Sequence, residues 1–470
     1  MRFVISQYNI GKQGAVGEYN ANNAWLYYGN SGNINAYNKY NSNGVRPVLE
    51  SHNVKENFVN LMVPLDEWYR LYRICKKNCS SKYLHLRFRY GWFVVRMINI
   101  CYNVNEFEYV PMMSICFMIE LPRLREVIAA LFDDKMVQTL YCDKIMPLLE
   151  KNFLDPDSYA CRKGKGGLRA VINLQEYIFE ESEGYTADVW LAKVDIKGFF
   201  MSIDTEIGVR LLGDFINKYV SDARMRNLLL YLTRIIYQSM PQMHCIMQSP
   251  KEVHESLPEY KRMKGKSGYK GVAIGNKTSQ MIAAFYTTFY LQLLRSMGYR
   301  FVHYTDDTAV VVRDKDKWLA DRRYIAAWME KELRLTLHPK KVYLQHYSKG
   351  IELLGYKLRF NRRLPSDRIV HNFRWKVAFM SRKAESDPYL YANLEHFMQT
   401  VNSYLGLLGW CNTARLRHEV LETIKAGPYG KAFLFSDDDH KINIKPSYTR
   451  TAHYVRKNKQ RKKSLNLWVM

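Results

Sequence analysis

One short segment constrains the fold of this chain more than any other: Tyr304-Thr305-Asp306-Asp307. An apolar-aromatic run from Tyr299 to His303 precedes it, and Ala309 to Val312 follows it. Two β-rich runs joined across a short polar segment predict a hairpin with the aspartates at its tight turn. A turn needs only one Asp or Asn, and adjacent like charges repel. The second aspartate therefore indicates a divalent cation at the turn.

A third carboxylate is predicted at the end of another strand. The β-rich segment Trp190 to Ile196 carries Asp195 near its end, before Lys197-Gly198-Phe199-Phe200. A strand-end carboxylate that faces an aspartate pair suits phosphoryl transfer, in which two Mg²⁺ ions about 4 Å apart activate the attacking hydroxyl and neutralise the leaving group. Mn²⁺ accepts the same oxygen ligands. Asp204 suits a helix N-cap, so we leave it out of the chemistry.

A glycine-containing loop lies between these two elements in the sequence. Gly271 and Gly275 frame Val272-Ala273-Ile274, and a long helix candidate begins directly afterwards. Glycine lets a backbone approach a ligand closely, and a helix N-terminus favours anionic groups. The order of the three elements, more than the glycines themselves, indicates that this loop belongs to the same site.

The net charge favours nucleic acid as the partner. Lys and Arg number 70 against 45 Asp and Glu, a formal charge of +25. Such an excess is most easily accommodated by a protein that acts on a polyanion. The sequence has no apolar stretch of about 18 residues and no secretory signal pattern. We therefore expect no membrane partner and a cytoplasmic location.

Composition and periodicity predict four regions. Residues 1–52 are rich in Asn, Gly and Tyr without helical or strand periodicity, which predicts loop or disorder. Residues 53–190 are mainly helical in pattern, with apolar residues from Pro122 to Leu149 at a spacing near 3.6. Residues 191–360 mix β-rich runs with helices, which indicates an α+β lobe, and residues 361–470 are helical with a basic tail. The helix candidates of the α+β lobe are Glu206–Tyr219, Thr278–Met297 and Trp318–Leu333.

The three elements, in this order, resemble the palm motifs of reverse transcriptases. More narrowly, the chain resembles the reverse transcriptases of diversity-generating retroelements in three stretches: Ser158 to Gly166, Gly275 to Gln280 and Asn402 to Leu408. The resemblance implies a right-hand polymerase with fingers, an antiparallel palm sheet backed by helices, and a helical thumb. It also implies a bacterial or phage-encoded enzyme. Retron, abortive-infection and group II intron enzymes share the palm and stay open as alternatives.

The resemblance also implies roles for individual residues. The metal ligands would be Asp195, Asp306 and Asp307, and Lys341 would protonate the pyrophosphate, with Lys340 as an alternative. Phe200 would select deoxynucleotides by excluding a 2′-hydroxyl. The implied nucleotide-binding residues are Arg123, Arg125, Ile196, Phe200, Ile274 and Gly275. Pro122 to Ile128 resembles the family's strand whose cations grip the incoming triphosphate, which gives Arg123 and Arg125 their role. The implied template or primer contacts are Arg162, Lys163, Lys165, Asn276, Ser279, Gln280, Leu354 and Gly355. The last two belong to Gly350 to Tyr356, which resembles the primer grip, a hairpin that holds the primer end. For Arg162 to Lys165, a solvated loop is the alternative.

Ile274 bears on how accurately such an enzyme would copy RNA. Retroviral enzymes carry Gln at the corresponding place, where its amide can help to enforce base-pair geometry. An isoleucine leaves the pocket dependent on shape, and apolar fit discriminates less well than polar contacts. We therefore expect low fidelity at template adenines, as in the related retroelement enzymes.

The Asn-rich segment and the partners complete the hypothesis. Residues 24–50 resemble the Asn-dense final segment of the lectin-like proteins that these retroelements diversify, so the reading frame would overlap the template repeat. An ordinary low-complexity arm is the alternative. The resemblance implies a template RNA, a cDNA product, deoxynucleotides and a basic accessory protein as partners. A catalytically silent RNA-binding scaffold stays open, although clustered negative charge beside an RNA groove argues against it.

Overall fold

The structure, a computed structural model, describes residues 61–79, 93–120, 123–338, 343–385 and 393–449, and the backbone of three short strands before residue 40. The helices of the described residues are α1 Leu65–Asn78, α2 Phe93–Asn105, α3 Phe132–Asn152, α4 Gly167–Glu181, α5 Phe199–Ser202, α6 Thr205–Tyr219, α7 Ala223–Gln238, α8 Lys251–Glu255, α9 Lys277–Ser296, α10 Lys315–Leu333, α11 Asp367–Glu385, α12 Leu394–Leu408 and α13 Ala414–Ala426. The strands are β1 Phe3–Val4, β2 Asn23–Tyr27, β3 Ile34–Asn38, β4 Ser114–Ile119, β5 Arg125–Ala129, β6 Trp190–Asp195, β7 Cys245–Met247, β8 Arg300–Tyr304, β9 Asp307–Val312, β10 Tyr343–His346, β11 Ile351–Leu353, β12 Tyr356–Arg359, β13 Arg362–Pro365, β14 Phe433–Phe435 and β15 Ile442–Ile444.

The chain divides into two compact units that interleave along the sequence. The first unit comprises Met1–Cys161, Ile196–Met297 and Arg322–Leu337, and the second comprises Arg162–Asp195, Gly298–Asp321 and His338–Met470. The four predicted regions are consecutive, so they do not coincide with these units. As a division by function, those regions stay a prediction.

The first unit contains a small sheet of strand order β5-β4-β7. Strand β5 is stabilised by burial of the β-branched side chains of Val127 and Ile128, a residue type that favours strands. The charge of Glu126 is also buried, and its carboxylate accepts from the backbone N–H groups of Met263 (2.7 Å) and Lys264 (3.0 Å). The helical spacing predicted from Pro122 is therefore wrong at its start, because pairing with β4 overrides the local pattern. The strand that the family resemblance implies in this segment is present. Helix α3 begins only at Phe132.

The second unit contains an antiparallel sheet of strand order β10-β6-β9-β8. The last four residues of β9, Ala309 to Val312, are apolar and buried, and Phe301 and Val302 of β8 are buried as well. Helix α4 packs against β8 and β9. The predicted antiparallel sheet backed by a helix is therefore confirmed. The three helix predictions of the middle region are also confirmed, as α6, α9 and α10.

The C-terminal part of the second unit has its own apolar core. Helices α11, α12 and α13 contribute Phe373, Phe397 and Leu421 to it, all fully buried. Strands β14 and β15 form an antiparallel pair, and Phe433 and Ile442 pack into the same core. The region after residue 361, predicted to be helical, therefore also contains short strands. Strands of three residues such as β14 and β15 are too short for an alternating pattern to be read from the sequence.

The Asn-rich N-terminal segment includes paired backbone. Strand β2 pairs antiparallel with β1 and β3. The prediction of loop or disorder is therefore wrong for the residues of these three strands. The β-favouring residues Trp25, Tyr27 and Tyr37 lie in β2 and β3. The rest of residues 1–52, and the proposed origin of this segment in a template repeat, lie outside the described residues. Within the described part of the chain, no helix combines the length and apolarity that a membrane crossing requires.

Candidate active site

Three aspartates lie at one end of the β6–β9 ladder. Asp195 is the last residue of β6 and pairs in register with Asp307, the first residue of β9. Residues directly opposite on antiparallel strands have Cβ atoms about 5 Å apart and project to the same face. Asp306 lies in the turn just before Asp307, and both are exposed, while Asp195 is half-buried. All three belong to the second unit.

The donor set of this cluster fits a divalent cation. Like charges directly opposite each other on neighbouring strands destabilise a sheet, and a bound cation would remove that cost. Carboxylate oxygens are the ligands that Mg²⁺ and Mn²⁺ prefer. Among the described residues, no three His, Cys, Asp or Glu side chains lie close enough together to hold a metal ion. The metal role of Asp195, Asp306 and Asp307 therefore stays a prediction.

The turn that carries Asp306 is conformationally strained. Tyr304 pairs with Asp307, which leaves Thr305 and Asp306 as a two-residue hairpin loop. Thr305 has φ +62, a left-handed conformation that β-branched residues rarely adopt. Such strain costs about 1–3 kcal/mol and persists only where the surrounding structure imposes it. The predicted hairpin is present. The strained conformation of Thr305 indicates that the turn with Asp306 is held rigidly.

Behind the turn, a buried histidine supports the hairpin without adding charge. His303 of β8 and Thr308 of β9 are a cross-strand pair, and their side chains are hydrogen-bonded (Nδ1 to Oγ1, 2.9 Å). Complete burial lowers the pKa of His303 to about 3. The imidazole is therefore neutral at physiological pH. It orients the hairpin and does not offset the negative charge of the carboxylates.

Lys193 is a charged residue of this site that the sequence analysis missed. It precedes Asp195 by two residues on β6, so both side chains project to the same face. Its ammonium lies 5.4 Å from the ring centre of Tyr343 on β10. Burial lowers the pKa of Lys193, and the nearby charges of Asp307, Glu352 and Asp195 oppose that shift. Side chains alternate between the two faces of a strand, so the two-residue spacing of Lys193 and Asp195 on the predicted strand was the signal that could have identified Lys193.

The second unit also brings a basic loop next to the β8–β9 hairpin. Lys163 and Gly164 are exposed in this loop, which runs from Arg162 to Gly166 and leads into helix α4. A Cβ atom at Gly167 would lie 3.3 Å from Leu354 Cδ1 and 4.0 Å from Tyr304 Cε2. The start of α4 therefore packs against both the β8–β9 hairpin and the β11–β12 turn. The residues predicted to contact the template or primer in the Arg162–Gly166 loop are therefore neighbours of those in the β11–β12 turn.

The β11–β12 turn is a tight two-residue loop. Leu353 pairs with Tyr356, and Leu354 and Gly355 between them both have positive φ, +51 and +88. Such turns match the twist of a hairpin and favour glycine at their second position. The hairpin predicted from the primer-grip resemblance is therefore present. Contact of Leu354 and Gly355 with a primer stays a prediction.

The segment that leads to Lys341 starts beside Asp195. The backbone N–H of His338 donates to the carbonyl oxygen of Asp195 (2.8 Å). Lys341 and Lys340 themselves lie outside the described residues. The general-acid role of Lys341 stays a prediction.

In the first unit, the glycine loop is fixed to strand β5. The carbonyl oxygen of Ile274 accepts from the N–H of Ile128 (3.0 Å), and the side chain of Asn276 bonds to the backbone of both Ala130 and Ile128. A Cβ atom at Gly275, where φ is +117, would lie 2.7 Å from Val127 Cγ1. Only glycine therefore fits this close approach.

The side chains around that loop differ in accessibility. Asn276 and Ser279 are buried, and the Ser279 hydroxyl donates to the carbonyl oxygen of Ala273 (2.6 Å). Gln280 is exposed and Ile274 is half-buried. Asn276 and Ser279 thus hold the loop in place, while Gln280 has a free surface for a ligand. Template contact of all three residues stays a prediction.

The remaining predicted nucleotide-binding residues also lie in the first unit. Phe199 is buried, whereas Phe200 is half-buried beside it, with ring centres 5.3 Å apart. Ile196 is buried and bridges to Leu337. Arg123 and Arg125 are exposed at the start of β5. Asp204 is confirmed as the N-cap of α6, where it accepts from Glu206 and Ile207. The nucleotide roles stay predictions.

One known protein family and several solved structures are similar to this chain. The sequence model of the family described as Reverse transcriptase (RNA-dependent DNA polymerase) matches residues 123–358. No protein of curated function matches the chain in sequence. Among solved structures, apo telomerase from Candida Tropicalis is similar with a TM-score of 0.42 and 10% identity, over 67% of this chain and 59% of that one. Telomerase from Candida albicans with a TWJ fragment of telomeric RNA has a TM-score of 0.38 and 11% identity, over 72% and 58%. The chain thus spans less than two thirds of the length of these structures.

Proposed function

The chain belongs to the reverse transcriptase (RNA-dependent DNA polymerase) family, and from this premise we propose that it is a catalytically active enzyme that adds deoxynucleotides to a 3′-hydroxyl on an RNA template. The observation that carries the proposal is the strand register that sets Asp195 opposite Asp307, with Asp306 in the adjoining turn. A protein that only binds RNA gains nothing from three clustered carboxylates, because they repel phosphate.

Asp195, Asp306 and Asp307 would hold two Mg²⁺ or Mn²⁺ ions. Bound there, the ions would lower the barrier to attack by the 3′-hydroxyl and offset the charge of the leaving pyrophosphate. The remaining work falls to the chain's own residues. Arg125, with Arg123, would grip the triphosphate, and Phe200 would exclude a 2′-hydroxyl. Lys341 would donate the proton that the pyrophosphate takes up.

Lys193 would moderate the affinity of this cluster for the metal. In Lys193→Met, the aliphatic part of the side chain can still pack on Tyr343, but the positive charge is gone. We expect the Mg²⁺ concentration for half-maximal primer extension to fall about threefold, since a partly exposed charge contributes up to about 1 kcal/mol. Lys349→Met, in an exposed turn of the same unit, is the control and should leave that concentration unchanged. A higher Mg²⁺ requirement in Lys193→Met would instead mean that Lys193 binds substrate.

We further propose that the enzyme copies RNA inaccurately at adenines and supplies cDNA for diversification of a neighbouring gene. Ile274 supports this, because its half-buried side chain offers no hydrogen bond to a base pair. A template RNA and a basic accessory protein would be the partners. The test is primer extension on an adenine-containing RNA with Mg²⁺ and all four deoxynucleotides, with and without the accessory protein, followed by sequencing of the cDNA.

Ile274→Gln should make the product more accurate. Its amide can contribute polar discrimination, so we expect errors opposite adenine to fall by about tenfold. Ile246→Gln, at an exposed position on β7 of the same unit, is the matched control and should leave the errors unchanged. Accurate cDNA from the native protein would keep the polymerase and remove the diversifying role.

A further inference from the structure

The short helix that carries Phe200 is held in place by other parts of the first unit. Helix α5, Phe199–Ser202, is a single turn, and one helical turn has no stability of its own. Tertiary contacts therefore set its position. These contacts come from two segments of the same unit, residues 269–272 and residues 334–337.

The first of these segments runs alongside the turn that carries Phe200. The N–H of Val272 donates to the carbonyl oxygen of Phe200 (2.8 Å), and the N–H of Gly271 donates to that of Ile203 (2.8 Å). Both bonds are between backbone atoms, so they fix the path of the chain on one side of the turn. The two ends of the turn are held by the second segment.

The second segment contacts the chain before and after Phe200. Before it, the N–H of Lys197 donates to the carbonyl oxygen of Thr336 (2.9 Å). After it, the guanidinium of Arg334 donates from Nη1 to Oδ2 of Asp204 (2.6 Å). Phe200 thus lies between two contacts with one short stretch of chain. Of these two contacts, only the ion pair of Arg334 and Asp204 is made by side chains.

Arg334 stands at a position that favours glycine. It directly follows the last residue of α10 and has φ +51, a left-handed conformation that glycine commonly adopts after a helix. Another residue persists there only where the surrounding structure imposes it. Its partner Asp204 is buried, and Oδ1 of the same carboxylate accepts from the N–H groups of Glu206 and Ile207 (3.0 Å each). The ion pair therefore joins a strained residue to a carboxylate that is held in one orientation.

We propose that Arg334 is a positioning residue that acts through Asp204 on Phe200 and so sets the preference for deoxynucleotides over ribonucleotides. The ring of Phe200 excludes a 2′-hydroxyl only at a defined distance from the sugar, so a small shift of its turn weakens the exclusion. Because that exclusion belongs to the proposed polymerase reaction, this role of Arg334 rests on the proposed function. Arg334 and Asp204 themselves need not touch the nucleotide.

Arg334→Gly tests the proposal. It removes the guanidinium and also relieves the left-handed strain, so the unfolding midpoint should change little. The preference, measured as kcat/KM for a deoxynucleotide over that for the matching ribonucleotide in primer extension, should fall about tenfold. Arg334→Lys keeps the charge and should retain most of the preference. Lys331→Gln, at an exposed position of α10, is the control and should leave it unchanged. A native preference in Arg334→Gly, or an equal loss in Lys331→Gln, would overturn the proposal.

Asp204→Asn tests whether Arg334 acts through this carboxylate. The amide oxygen can still cap α6, but the amide nitrogen that replaces the other oxygen cannot accept from Arg334. The preference should therefore fall by a similar factor. The double variant Asp204→Asn/Arg334→Gly should be no worse than either single variant, because both remove the same contact. Additive losses would show that the two residues act separately, which would overturn the proposal.

Fluorine NMR separates the positioning role from the proposed function. In the full chain with para-fluorophenylalanine at position 200, the resonance reports the surroundings of that ring without any catalysis. It should shift in Arg334→Gly and not in Lys331→Gln. An unchanged resonance in Arg334→Gly would overturn the proposal. A shifted resonance in a protein that fails to extend a primer would support the coupling of Arg334 to Phe200 and count against the proposed function alone.

Discussion

Asp195→Asn and Asp307→Asn should each reduce primer extension at least about 1,000-fold. The substitution keeps the size of the side chain and removes the charge that a divalent cation needs. Metal ions contribute several kcal/mol to transition-state stabilisation, and about 4 kcal/mol corresponds to this loss in rate. The measurement is the initial rate of primer extension on an RNA template at saturating Mg²⁺.

The same variants distinguish lost chemistry from lost folding. Asp195 and Asp307 are paired like charges on neighbouring strands. Without metal, either substitution removes this repulsion and also the attraction to the ammonium of Lys193, so the unfolding midpoint should change little. Mg²⁺ should raise the midpoint of the native protein and not that of the variants, because only a folded state that binds the ion is stabilised by it.

Asp188→Asn is the matched control. Asp188 is exposed near the other end of β6, where its carboxylate bonds to Nε2 of His346 (3.0 Å). This substitution should leave both the rate and the Mg²⁺ effect at native values. Near-native rates in Asp195→Asn or Asp307→Asn would contradict the assignment of the cluster, and a loss of rate in Asp188→Asn would mean that the assay reports on the sheet as a whole.

Local patterns predicted the parts of this site but not their relative positions. The β8–β9 hairpin follows from two apolar runs around a polar turn, and the cap at Asp204 follows from a single residue type. The pairing of Asp195 with Asp307 joins distant parts of the chain, and no local pattern encodes a strand register between them. Lys193 became a site residue only when that register was known.

Tertiary contacts also explain the predictions that failed. From Arg125 to Ala129 the spacing of apolar residues fits a helix as well as a strand. Pairing with β4 and the buried bonds of Glu126 decide in favour of the strand. The burial of Gln242, which is 3% exposed, is equally invisible in the sequence, because a glutamine is normally exposed. Only the fold shows that it is buried.

Gly275→Ala should have the second-largest effect, and for a reason that the structure makes specific. The new Cβ would lie 2.7 Å from Val127 Cγ1, at a residue whose φ is +117. Strain at such a backbone conformation costs about 1–3 kcal/mol, and the clash adds to it. The glycine loop and β5 must therefore separate. Because a shift of about 1 Å in a substrate-positioning element can cost 100-fold, we expect primer extension to fall by about that factor.

Two control glycines and one second-site variant separate the contributions to that loss. Gly213→Ala, in helix α6 with only an ordinary 3.6 Å contact, should be neutral or stabilising. Gly265→Ala, with φ +79 and open space around it, isolates the backbone strain from the clash. In Gly275→Ala/Val127→Ala the clash is gone while the strain remains, so part of the activity should return. The double variant should then be less destabilised than the sum of the single variants. Strictly additive effects would mean that Val127 moves aside without cost, and the close approach of loop and strand would then not be what requires glycine at this position.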